Sequence, residues 1–139
     1  MTGRYFIDTN IIVYAHDLDA GEKHHIAAEK LEEIWQKENP PSISVQVLQE
    51  ACVVFIKKGM PSIEINALME DLLQWNVIIN DQNILLEGVR LQRKLKISIW
   101  DAFIVAAAVR SGARQIMSED LSHMKEYEGI IVTNPFLKK

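Results

Sequence analysis

Short apolar runs alternate with longer amphipathic ones along the chain, and this alternation constrains the fold more than any other feature. Apolar segments of three to five residues are strand-length, while segments with apolar residues at three- and four-residue intervals are helical. Strands are expected over residues 4–7, 42–44, 75–79, 115–117 and 130–132. Helices are expected over residues 10–16, 22–37, 45–58, 62–73, from a cap at Asp81 to about Leu95, and over 99–111. Five strands interleaved with helices predict an α/β fold, a three-layer α/β/α sandwich around a mostly parallel five-stranded sheet with right-handed connections.

Local chemistry supports these boundaries. The helix over 22–37 carries Ile26, Ala27, Leu31, Ile34 and Trp35 on one face, and Asn39-Pro40-Pro41 stops it. The helix over 45–58 is apolar nearly all round and is expected to be deeply buried. Gly59 and Gly112 stand where helices end. With 139 residues the chain is read as one domain, 1–139, large enough to bury roughly two-thirds of its unfolded surface without a disulfide. The single cysteine, Cys52, leaves no internal disulfide and no multi-cysteine zinc site. No uncharged stretch approaches the ~18 apolar residues of a membrane span, and Asp8 interrupts the first apolar run, so a cytoplasmic protein is expected. Nineteen acidic residues against fifteen basic ones, a net charge of −4, neither support nor exclude a nucleic-acid ligand.

Four acidic residues do not fit a solvated helix face. Asp8 ends the first strand, Glu50 interrupts the apolar helix, Asp101 opens the helix over 99–111, and Asp120 follows the fourth strand. Singly, three have ordinary uses. Asp8 can cap the next helix, Asp101 completes the capping box Ser98-Ile99-Trp100-Asp101, and Asp120 can cap a short segment over 121–127. Glu50 is harder to place, because a buried lone carboxylate costs several kcal/mol. Jointly they fall at the carboxyl edge of a parallel sheet, where open α/β folds bind ligands. At an effective dielectric of ~20, two such charges ~5 Å apart repel by roughly 3 kcal/mol, so a cluster calls for a cation. An all-oxygen set favours Mg²⁺ or Mn²⁺. His16, His24, His25 and His123 form no ligand pattern.

These residues lie in stretches that resemble the PIN-domain family. Phe6-Ile7-Asp8-Thr9-Asn10-Ile11-Ile12-Val13-Tyr14 resembles its opening motif, and Glu50 in Val47-Leu48-Gln49-Glu50 its second acid. Trp100-Asp101-Ala102-Phe103-Ile104-Val105-Ala106-Ala107-Ala108 resembles the third motif and Ser118-Glu119-Asp120-Leu121 the fourth. The order and spacing span essentially the whole chain. The length is most similar to VapC-type toxins of type II toxin–antitoxin systems. The resemblance implies a sheet ordered 3-2-1-4-5 and a Mg²⁺-dependent endoribonuclease, usually dimeric, held inactive by a cognate antitoxin. Asp8, Glu50, Asp101 and Asp120 carry over as its acidic quartet, with Asp8 and Asp101 as direct metal ligands. Thr9, Asn10 and Ser118 occupy its supporting polar positions, and Glu119 contests the inward place of the fourth acid.

The chemistry so implied is hydrolysis of an RNA phosphodiester by metal-activated water, with one ion or two. Arg90, Arg93, Lys94 and Lys96 form the densest cationic group and are candidate RNA contacts, although the same pattern describes a solvated helix face. Trp100 is either a core aromatic or a base-stacking one. Two other readings remain: a PIN-like binding module without cleavage, and a phosphatase with Asp8 as nucleophile. The phosphatase usually needs a second Asp where this chain has Asn10.

Overall fold

A computed structural model describes residues 5–37 and 40–137. Arg4 of the expected first strand and Asn39 of the expected helix stop lie outside them. The elements run β1 (Tyr5–Ile7), α1 (Thr9–Ala15), a 3₁₀ turn (Leu18–Ala20), α2 (Glu22–Lys37), β2 (Ser42–Ser44), α3 (Val45–Lys57) and α4 (Ser62–Leu72). They continue through β3 (Asn76–Ile78), α5 (Gln82–Leu95), α6 (Ile99–Ser111), β4 (Gln115–Met117), β5 (Glu126–Tyr127) and β6 (Ile130–Thr133). The sheet is ordered β3-β2-β1-β4-β6-β5, with every neighbouring pair parallel except β5 and β6. The fold is therefore the three-layer α/β/α sandwich, with β6 in the fifth place of the expected order and one further edge strand.

The strands are short because each needs only to cross the middle of a core closed on both faces. Phe6, Ile7, Ile43, Ile116 and Val132 have no accessible surface. Such continuous apolar runs are what a parallel sheet covered on both sides requires. On the helical layers α1 packs against α2 and α3, while α5 packs against α6. Ala102, Ala106, Ala107 and Ala108 keep α6 thin enough to lie close to its neighbours, and all four are buried.

Three expectations need correction. The sixth strand, β5, replaces the short segment that Asp120 was expected to cap. Glu128 (φ 52°) and Gly129 (φ 84°) form the two-residue turn of a hairpin joining β5 to β6. Positive φ at both central positions gives that turn the twist antiparallel strands need. Next, α3 is not buried all round. Val47, Leu48, Ala51 and Phe55 face the core, whereas Val53 (52%) and Ile56 (65%) are exposed, because α1, α4 and β2 cover only one side of it. Finally, Trp35 is exposed at the margin of α2 and meets Trp75 edge-on, with ring centroids 5.9 Å apart.

The α5–α6 contact depends on a missing side chain. At buried Gly88 a Cβ would overlap Cδ1 and Cε1 of the Phe103 ring. Alanine would gain about 1 kcal/mol of helix propensity, but displacing a packed ring costs roughly 1–3 kcal/mol. Gly88→Ala is expected to be destabilised by about 1 kcal/mol in urea unfolding, and Gly88→Val by more.

Candidate active site

The site begins where β1 stops. The Asp8 amide donates to the Met117 carbonyl at 3.0 Å, so Asp8 extends the β1–β4 ladder by one position before the chain turns into α1. One carboxylate oxygen accepts from the Thr9 amide at 2.7 Å, making Asp8 the N-cap of α1. The other accepts from the Ser118 hydroxyl at 2.7 Å. Asp8 is 5% exposed, so the capping role and a site role coexist in one buried side chain. Ser118, fully buried after β4, in turn accepts from the amides of Asp120 (3.1 Å) and Leu121 (3.3 Å), which shapes the loop carrying Asp120.

The remaining acids arrive from two helices and this loop. Glu50 lies on α3 and accepts from the Thr9 hydroxyl at 2.9 Å. Asp101 stands in the first turn of α6, where Ser98 caps the helix by accepting from the Asp101 amide at 3.1 Å. Asp8, Thr9, Asn10, Glu50, Asp101 and Asp120 all line one cleft of about 410 Å³, with Val13, Val54, Ile104 and Trp100 as its apolar wall. Glu119 does not line it. Its carboxylate accepts from the Tyr14 hydroxyl at 2.8 Å and pairs with Lys23, turning away from the cleft. Asn10 Oδ1 accepts from the Glu119 amide at 3.1 Å, while its Nδ2 is buried without a partner among the described residues.

The carboxylates feel one another. Burial pushes Asp8 up to about 6 against the hydrogen bonds from Ser118 and Thr9, and the charges of Asp120 and Glu50 add to the rise. Burial likewise raises Asp101, the Ser98 contact opposes this, and Asp120 raises it further. Asp120 thus acts on both Asp8 and Asp101. Burial alone would raise Glu119, but Lys23 and Tyr14 together hold it below its usual value. The contrast is between an acid paired with a lysine and acids that form no ion pair among the described residues.

That deficit bears on whether a metal fits. Among the described residues no three acidic, imidazole or thiol groups already stand close enough to encircle an ion. The cleft does supply carboxylate and hydroxyl oxygens with no histidine or cysteine, the donor set of a hard divalent cation. The orphaned Asn10 amide nitrogen provides a donor for an oxygen ligand, water or phosphate.

The cationic group read from the sequence lies elsewhere. Arg90, Arg93, Lys94 and Lys96 do not line the cleft. Arg90 pairs with Glu87 and, at 3.1 Å, with Glu128, and Lys94 meets Glu128 at 2.9 Å. Among the described residues the cation that does line it is Lys58, 2.9 Å from Asp17. Lys58 was not singled out from the sequence, although a signal was present. Glu50, Val54 and Lys58 are spaced i, i+4, i+8, so one face of α3 and its C-cap meets the cleft.

The raised Asp8 value has a measurable consequence. Its folded-state pKa exceeds the ordinary 3.8, so its contribution to stability is complete below 3.8 and is lost as pH rises through about 6. Asp8→Asn keeps a capping acceptor while removing the charge. In chelator near neutral pH it is expected to gain on the order of 1–2 kcal/mol, after allowing for the Ser118 hydroxyl bond, which an amide nitrogen cannot accept. Thermal melts across this pH range check the sign.

With the geometry in place, comparison with known proteins gives a consistent result. The PIN domain family pattern matches residues 5–129. A search of curated proteins gives no match. Among solved structures, a toxin–antitoxin complex from Klebsiella pneumoniae is similar, with a TM-score of 0.71 and 23% identity over 95% of this chain and 98% of that one. VapBC2 from Rickettsia felis, bound to a DNA fragment from its promoter, has a TM-score of 0.67 and 20% identity over 94% and 97% of the two chains. VapC20 from Mycobacterium tuberculosis, a toxin that cleaves the sarcin–ricin loop, has a TM-score of 0.63 and 18% identity over 81% and 86%. At these identities the likeness is one of fold, whereas the family pattern covers most of the sequence: the chain belongs to the PIN-domain family.

Proposed function

We propose that this protein is a metal-dependent endoribonuclease and the toxin of a type II toxin–antitoxin pair. The observation that carries the reading is the convergence of Asp8, Glu50, Asp101 and Asp120 on one cleft at the carboxyl edge of the sheet. The fold shared with VapC-type toxins, one of which cleaves the sarcin–ricin loop, supports RNA as substrate. The toxin–antitoxin complexes of similar fold support an antitoxin as partner. Among the described residues no helix is long and apolar enough to cross a membrane, which suits an enzyme acting on RNA in the cytoplasm. Homodimerisation belongs to the same proposal, and exposed Val53 and Ile56 on α3 offer apolar surface for a partner.

Asp8 and Asp101 would hold Mg²⁺, or Mn²⁺ in its place, and Glu50 and Asp120 would complete its surroundings. When bound, the ion supplies activation of water and neutralisation of charge on the scissile phosphate. The chain's own contribution is orientation. Ser118 and the Thr9 amide hold both oxygens of Asp8, and the Thr9 hydroxyl holds Glu50. Asp101 also sits at a helix N-terminus, whose dipole works against the rise that burial and Asp120 impose on it. Lys58 adds positive charge to a cleft that would otherwise repel a phosphate backbone.

The test is incubation of purified protein with mixed RNA in Mg²⁺ or in EDTA, beside folded Asp8→Asn and Asp101→Asn. Cleavage is expected in Mg²⁺ alone, and each variant is expected to lose at least about 100-fold, the scale of several kcal/mol of charge stabilisation. Undiminished cleavage in EDTA or by Asp101→Asn would overturn the mechanism. A small reading frame beside the gene is the expected source of the antitoxin, and co-expression with its product should abolish cleavage.

A further inference from the structure

A second hollow, of about 560 Å³, lies beside the acidic cleft, and Trp100 lines both. Its volume falls within the ~300–1,000 Å³ of small-ligand sites. The lining is distinctive: four primary amides, Gln46, Gln49, Asn80 and Gln82, face apolar Ile84, Leu85 and Phe103. Two of the amides build the wall. Gln46, only 6% exposed, donates from Nε2 to the Trp100 carbonyl at 3.2 Å and accepts from Asn80 Nδ2 at 3.3 Å. Gln49 and Gln82 are exposed and make no side-chain hydrogen bond among the described residues.

The electrostatics disfavour an ion as occupant. Among the described residues no lysine or arginine lines the hollow, so no side-chain charge there attracts a phosphate. Its one carboxylate, Asp81, is already paired with Arg110 at 2.8 Å. What remains is a neutral site with paired donors and acceptors and an aromatic face. Trp100 is 60% exposed despite its size, its carbonyl is tied by Gln46, and its ring rests edge-on against Phe103 at 5.9 Å. An exposed indole braced in this way is a stacking platform. Amide side chains present both a donor and an acceptor, the pattern needed to read a base edge.

We propose that this hollow is a nucleobase subsite, in which a base flanking the scissile phosphate stacks on Trp100 and is read by Gln49 and Gln82. The proposal rests on the ribonuclease reading of the adjoining cleft and deepens it: the substrate is single-stranded at the cut, because a base within a duplex cannot reach a side-chain platform. Trp100 immediately precedes Asp101, so the stacked base and the acidic cleft are one residue apart in the protein.

Two measurements test this. In EDTA, binding of short labelled homopolymers of A, C, G or U is followed by fluorescence anisotropy for wild type, Trp100→Ala and Trp100→Phe. In Mg²⁺, cut sites on mixed RNA are mapped for wild type, Gln49→Ala and Gln82→Ala. Trp100→Ala is expected to bind roughly 5- to 150-fold more weakly, the range of one lost base–aromatic stack, and Trp100→Phe to recover most of this. Gln49→Ala and Gln82→Ala are expected to change which bases flank the cut. Both positions are exposed, so these variants decide the matter even where Trp100→Ala loses its structure in circular dichroism. If wild type cleaves RNA while the variants keep its affinity and cut sites, the subsite is overturned and the ribonuclease reading stands. If wild type neither binds nor cleaves RNA in either condition, both are overturned.

Discussion

The Asp8 carboxylate is the interaction on which the rest of the site depends. One oxygen caps α1 and the other is held by Ser118 at the end of β4. The same residue's amide continues the ladder to Met117. The two central strands and the helix leaving them are therefore locked to one buried acid. Because Ser118 also organises the loop that carries Asp120, the position of the fourth acid follows from the position of the first. Fold and site share these hydrogen bonds, so removing the whole Asp8 side chain would disturb both.

This economy has an electrostatic cost. Burial and two neighbouring carboxylates disfavour the charge on Asp8, and its hydrogen bonds offset this only in part. Glu119, next to Asp120 in the chain, shows the usual solution, a lysine and a tyrosyl hydroxyl turned toward it. Among the described residues the cleft acids form no such ion pair, and Lys58, which lines the cleft with them, is engaged with Asp17. Stored repulsion of this kind is common where a protein binds a cation, since the ion releases it. Without a counter-charge, ionising Asp8 works against the stability of the folded chain.

Around this centre the helices divide the labour. Residues at i, i+4 and i+8 along α3 and its C-cap place an acid, an apolar contact and a cation along the cleft, while α6 contributes an aromatic ring, an acid and an apolar contact in Trp100, Asp101 and Ile104. Trp100 stands between an acidic hollow and a neutral, amide-lined one. The α5–α6 pair that supports it packs closely because Gly88 leaves room for Phe103.

Much of this was legible in the sequence. Alternating periodicities determined the order of helices and the parallel sheet, because they encode which side of each element avoids water. The four acids stood out because each broke a local apolar pattern or followed a strand. Tertiary structure alone decided the rest. Local pattern could not show that α3 leaves Val53 and Ile56 uncovered, since burial depends on which neighbours arrive from elsewhere in the chain. Adjacent Glu119 and Asp120 are equivalent as sequence, and only the approach of Tyr14 and Lys23 turns one away. The cations of α5 were conspicuous by density, yet Glu128, brought in by an unforeseen hairpin, takes up Arg90 and Lys94. The physical reason is the same in each case: periodicity is set by near neighbours, whereas the partner of a charge is set by contacts that exist only after folding.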